Sequence, residues 1–183
     1  MKRTTWIVPI ISILFAGCAT NMTKPSGIPQ ASKVKFSEFA KVEMKPLAIN
    51  EKFAESGANQ KARRKIEGNL KNQVKTIFSN CTFLGENQEF SKTSDKTLQI
   101  VPTIKEIKFI GGAARIWVGA MAGSSAVLME VICKDSKSSE IVAQAEFYQE
   151  ANAFSGAYSM GGTDNMMLDQ VSLDVAKWLV ANK

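Results

Sequence analysis

The sequence predicts an α+β domain in which a mainly antiparallel sheet of about four strands carries two helices on one face. Three observations predict it. Ile66, Leu70 and Val74 recur every four residues, and Ile77 and Phe78 extend the stripe, as on the buried side of a helix. Val127, Met129, Val131 and Cys133 alternate with Leu128, Glu130, Ile132 and Lys134. Past a turn-like Asp135–Ser139, Ile141, Ala143, Ala145 and Phe147 repeat the alternation, as in a hairpin. Leu168, Val171, Val175, Trp178 and Leu179 return to helical spacing near the end of the chain.

Taken in order, the first strand falls within Phe36–Ile49, where Ala40, Val42 and Met44 alternate with Lys41, Glu43 and Lys45. Pro46 has no N–H to give and marks an edge or an end. A helix from about Asn59 to Asn80 follows. Its Lys61, Arg63, Arg64, Lys65, Lys71 and Lys75 read as a solvated face. Gly85–Thr97 is polar and reads as a loop. Leu98, Ile100, Pro102 and Ile104 form a second strand, and Pro102 argues against a central place for it. The apolar parity changes between Ile104 and Ile107, which predicts a bulge. After the hairpin, residues 152–163 form a loose loop before a helix near Asp164–Ala181, with Asp164 as its N-cap. The order strand, helix, strand, strand, strand, helix packs economically as two layers.

The amino terminus has a different character. Lys2 and Arg3 precede an apolar run from Trp6 to Phe15, which closes on Ala16-Gly17-Cys18. A helix of about 10 residues spans ~15 Å, half of a ~30 Å hydrocarbon core, so the run is too short for an ordinary span. The layout is that of an export signal, and Phe15-Ala16-Gly17-Cys18 resembles the lipobox of bacterial lipoproteins. The resemblance implies cleavage between Gly17 and Cys18, with a diacylglycerol on the Cys18 thiol and an acyl chain on its new amino group. It also implies an outer-membrane, periplasm-facing location, since Ala19 and no Asp follows the cysteine. The expected organisation is a signal peptide over 1–17, an acylated cysteine and flexible tether over 18–33, and one periplasmic domain over 34–183.

Composition narrows the function classes. Loss of residues 1–17 removes Lys2 and Arg3, so the 23 basic residues become 21 against 17 acids, a mature charge of about +4. The basic residues are scattered, without the aromatic-interleaved stripe that nucleic acid favours. There is no histidine in the chain, which removes the commonest general base and metal ligand together. Ala157-Tyr158-Ser159-Met160-Gly161 imitates a nucleophile elbow, but no imidazole stands behind Ser159. No phosphate-cradling motif occurs, and Asp135, Glu140, Asp164 and Asp169 lack the spacing of a calcium loop. Neither catalytic nor metal-binding residues nor cofactors are therefore expected, apart from the acyl groups. Cys81 and Cys133 are a possible disulfide in an oxidising compartment, though both stand on apolar faces and suit buried thiols equally.

The strangest segment runs from Gly111 to Ala126. It offers Ala114-Arg115, Trp117, Gly119, Met121, Gly123 and Ser125-Ala126, followed by a strand to Lys134, Asp135, and a Gly161-Gly162 loop before the last helix. Over residues 36–181 this pattern resembles the bacterial lipoprotein family known as domain of unknown function 4410. That resemblance implies no activity. In the family the hairpin turn usually ends in Gly where Ser139 stands here, so a different turn type is expected. The residues leave three readings open: a Gly-rich crossover packed backbone to backbone, a contact surface, or an inserted segment. In the contact reading Trp117 and Met121 are anchors, Arg115 lies at the rim, and Gly119 and Gly123 are spacers. For insertion, Arg115 and Glu130 bracket too few residues for a comfortable span.

The expectation is thus a non-enzymatic, outer-membrane-anchored lipoprotein that binds an envelope protein or copies of itself, with no nucleic acid partner. The alternative is a carrier of lipid or a cell-wall fragment, in an apolar pocket lined by Trp117 and Phe147.

Overall fold

The computed structural model describes residues 22–92 and 95–183; the expected signal peptide over 1–17, with Gly17, and Cys18 lie outside the described residues. The fold is α+β, as the hydrophobic periods imply, but the sheet is mixed and larger than four strands. It comprises β1 (Lys41–Met44), β2 (Ala48–Ile49), β3 (Cys81–Phe83), β4 (Thr97–Lys108), β5 (Ser125–Asp135) and β6 (Ile141–Ala151). Its order is β3-β1-β4-β5-β6, with β2 also beside β4. β4, β5 and β6 form an antiparallel meander. β1 runs parallel to both β3 and β4, and β2 runs parallel to β4.

Among the described residues five α-helices accompany the strands: α1 (Glu51–Ala54), α2 (Gly57–Ile77), α3 (Gly112–Val118), α4 (Ala153–Tyr158) and α5 (Gly162–Ala181). Only α2 and α5, the two expected from periodicity, form the helical layer. Ser56 caps α2 by accepting from the Asn59 N–H at 3.3 Å. Ala62, Ile66, Leu70 and Val74 of α2, with Leu168, Val171, Val175 and Leu179 of α5, close on Leu98, Ile100, Ile104, Met129 and Val131 of the sheet. Trp178 stacks edge-on against Phe36 at 6.1 Å and Phe147 at 5.8 Å, tying α5 to β6.

The single first strand of the sequence reading divides into β1 and β2 at Lys45-Pro46-Leu47, and this explains how β4 takes a central place despite Pro102. Ile100 and Ile104 accept from the Lys45 and Asn50 amides at 3.0 Å, so even positions of β4 turn their backbone toward β1 and β2. Pro102 therefore faces the stretch where β1 has ended and β2 has not begun, and no ladder donor is missing. The bulge falls where the parity change puts it, with a register shift between Ile104 and Glu106. Ser139 adopts the left-handed conformation itself (φ 60°), where a different turn type was expected.

The disulfide that the sequence leaves possible is not formed. Cys81 and Cys133 are both free thiols. They lie on β3 and β5 with β1 and β4 between them, three strand spacings or ~14 Å apart, whereas a bridge needs Cα atoms within ~7 Å.

Part of the segment expected as a tether lies against the domain. The Lys33 amide donates to the Val142 carbonyl at 2.9 Å, and the Gln30 carbonyl accepts from the Trp178 indole at 2.9 Å. Lys24 Nζ sits 3.2 Å from a Glu150 carboxylate oxygen and 5.2 Å from the Tyr148 ring centroid. This stretch thus follows β6 from its carboxyl end to its amino end.

Candidate contact surface

The crossover from β4 to β5, the short α4 and the start of α5 meet at one end of the sheet. β4 ends at Lys108 and β5 begins at Ser125, while β6 ends at Ala151, paired with Ser125. The crossover folds as α3 and a 3₁₀ turn, Gly119–Ala122, and so forms a compact cap. Two glycines make its corners: Gly119 at φ 62° and Gly123 at φ 85°, a region where a Cβ is costly.

The cap is held from inside by one ion pair. Arg115 Nε donates to Asp164 Oδ2 at 2.9 Å and Nη2 donates to Oδ1 at 2.6 Å, a bidentate fork. Nη1 donates to the Gly123 carbonyl at 2.6 Å, so the same guanidinium ties α3 to the turn ahead of β5. Both charged side chains are fully buried. Room for the guanidinium comes from Gly156 of α4, where an added Cβ would lie 2.7 Å from Arg115 Nε. Arg115 is therefore not at a rim, and Asp164 is not an N-cap but the buried counter-ion in the first turn of α5.

Capping there falls to Ser159. Its Oγ accepts from the Thr163 amide at 3.0 Å and lies 3.3 Å from the Gly156 carbonyl, in donating position. The hydroxyl is engaged in ending α4 and starting α5.

Outward, the cap is apolar. Trp117 is 87% exposed and Met121 63%, as an anchor reading requires, and Ile116 lies beside them at 65%. The sequence reading missed that α4 adds Phe154 at 69% and Tyr158 at 90%, with Met160 just beyond. Apart from Arg115, whose charge is internal, residues 109–126 and 152–163 carry no formal charge. The pocket expected from Trp117 and Phe147 is not formed, since Trp117 projects outward and Phe147 is packed on Trp178. Among the described residues no three His, Cys, Asp or Glu gather as a metal site, and no helix is long and apolar enough to cross a membrane.

The domain is thus a two-layer α+β sheet protein with an uncharged apolar cap at one end. The same fold occurs in a Xanthomonas campestris protein of the DUF330 family, 9% identical, with TM-score 0.50, covering 84% of this chain and 93% of that one. Lesser structural likenesses include a PelC dodecamer subunit from Paraburkholderia phytofirmans (12% identity, TM-score 0.47, 79% and 91% of the two chains). A minor lipoprotein from Acinetobacter baumannii is another (9%, TM-score 0.34, 76% and 93%). No protein-family model matches the chain, so the likeness to domain of unknown function 4410 rests on its residue pattern alone. No curated protein matches it either.

Proposed function

We propose that the chain is a non-enzymatic lipoprotein of the cell envelope, held to the outer membrane by acylated Cys18 and facing the periplasm. It works by contact, and the cap bearing Trp117 and Met121 is its contact surface. The cap carries this reading: some thirty residues in two separate segments are free of exposed charge and present large apolar side chains to the outside. A patch of that kind marks an interaction site, and the buried Arg115–Asp164 pair supports it by giving the segment one rigid shape.

Nothing in the surroundings of Ser159 favours hydrolysis, because its hydroxyl serves the helix start. The test is two-part. Intact-mass analysis of the protein from membranes should show diacylglycerol and an acyl chain on an amino-terminal Cys18, and Cys18→Ser should release it from them. A photoreactive residue at position 117 should cross-link in cells, whereas one at exposed Lys61 should not. Absence of both the acyl mass and the adducts sinks the reading.

A further inference from the structure

We propose that the surface which the cap covers is the bilayer itself: the domain stands cap-down on the membrane to which Cys18 anchors it. This rests on the lipoprotein reading above and names what the contact surface meets.

The argument comes from where the chain enters the domain. Lys24 is fastened at the cap end of the sheet: its Nζ lies 3.2 Å from Glu150, which pairs with Ala126 one step from the strand ends that carry the cap. From there the chain leads away from the cap along β6, to Gln30 at Trp178 and Lys33 at Val142. Five residues separate Cys18 from Lys24, and the six Cα-to-Cα steps between them can span at most ~21 Å. Acyl chains on Cys18 therefore emerge beside the cap. They cannot reach past the far end of a β6 eleven residues long, where the hairpin turn and the end of α5 lie, without undoing the Lys24–Lys33 seam.

The chemistry of the cap agrees with that placement. Trp117 and Tyr158 are the residue types that settle at the lipid headgroup level, and Met121, Phe154 and Ile116 supply apolar depth beside them. No exposed charge in either segment would have to be desolvated. One membrane-bound acyl chain holds weakly and a second signal makes the anchor firm; the cap would add a further, protein-borne signal and fix the domain's orientation.

The test uses acylated full-length protein from membranes, reconstituted into vesicles of phosphatidylethanolamine and phosphatidylglycerol with brominated acyl chains. After cleavage only Trp117 and Trp178 remain, and Trp178 is buried. Trp117→Phe keeps the cap apolar and reports Trp178 alone. Emission from Trp117, taken as the difference, should shift to the blue and be mostly lost in brominated vesicles but not in unbrominated ones. An unquenched Trp117 in protein whose acyl mass is verified overturns the docking while leaving the anchor intact. A cross-link from position 117 to an envelope protein, with no lipid quenching, likewise overturns it in favour of a protein contact. A missing acyl mass refutes the anchor, and quenching of Trp117 in that unacylated protein would still support docking by the cap.

Discussion

Arg115 and Asp164 meet 49 residues apart in sequence, in a fork of 2.6 and 2.9 Å between α3 and the first turn of α5. Neither side chain has any exposed surface. A guanidinium and a carboxylate taken out of water are costly unless each is closely matched. Here the carboxylate receives two N–H groups near the positive end of a helix, and the remaining guanidinium nitrogen is satisfied by Gly123. The pair fixes where an otherwise apolar crossover sits.

Removing one partner should expose how much rests on that match. Asp164→Ala leaves a buried unpaired guanidinium and should cost about 3–5 kcal/mol in urea unfolding. Replacing both, as Arg115→Met with Asp164→Leu, should recover most of that loss, because no uncompensated charge remains. A loss below ~0.5 kcal/mol for Asp164→Ala would mean that the pair is solvated after all.

Gly156→Ala tests the same site from the other side. The new Cβ would stand 2.7 and 2.8 Å from guanidinium atoms that cannot retreat without leaving Asp164. A loss of about 1–3 kcal/mol is expected from this overpacking. Gly68→Ala, with nothing within 4 Å in the middle of α2, should instead gain about 0.5–1 kcal/mol. Thermal or urea unfolding of the two variants should move in opposite directions.

Those two sites show which parts of the fold were legible in the residues. α2, α5 and the β5–β6 hairpin were readable because each buries one face against the core, and a period of four or two records that burial. Pro102 misled because its cost depends on what lies opposite: the break at Lys45–Leu47 makes the position harmless, and no local pattern reports a gap in a neighbouring strand. β3 is three residues long and half-buried, too short for any period. The cap was legible in part. Trp117 and Met121 stood out for their apolar bulk, yet their exposure depends on packing elsewhere. A lone arginine in an uncharged stretch was itself a signal, since such a charge must face water or find a buried acid. Which acid it finds is a long-range matter that the spacing of Arg115 and Asp164 does not encode.

The two thiols should stay reduced and unreactive in the folded protein. Burial pushes the Cys81 thiol up to about 11, with the Glu43 carboxylate adding to the shift, and burial alone drives Cys133 further upward. Only the thiolate is nucleophilic, so Cys81 should label slowly with iodoacetamide at pH 8 and faster as pH rises toward 11. Cys133 should label only on unfolding. In air-oxidised protein the intact mass should show no loss of two hydrogens; finding that loss would refute the strand order that separates the pair.

The Lys24–Glu150 clamp should respond to acid in a defined direction. Burial works to raise the Glu150 pKa, but hydrogen bonds from Tyr148 and Lys24, the Lys24 charge and a Ser124 contact outweigh it, and the carboxyl is held below its usual 4.5. A carboxylate with a lowered folded-state pKa contributes its stabilisation above the unfolded value and loses it as pH falls through the folded one. The seam at Lys24 should therefore be intact at neutral pH and open only in acid, below the range in which an ordinary glutamate titrates. Both side chains are a third or more exposed, so solvent screening leaves the effect small in global stability and the readout must be local. A carbon-13 titration of Glu150 should give a midpoint below that of an ordinary glutamate. Lys24→Met should move that midpoint upward, as burial then meets less opposition. An unchanged midpoint in Lys24→Met would show that Lys24 does not sit on Glu150 in solution, and the entry of the chain at the cap end would lose its support.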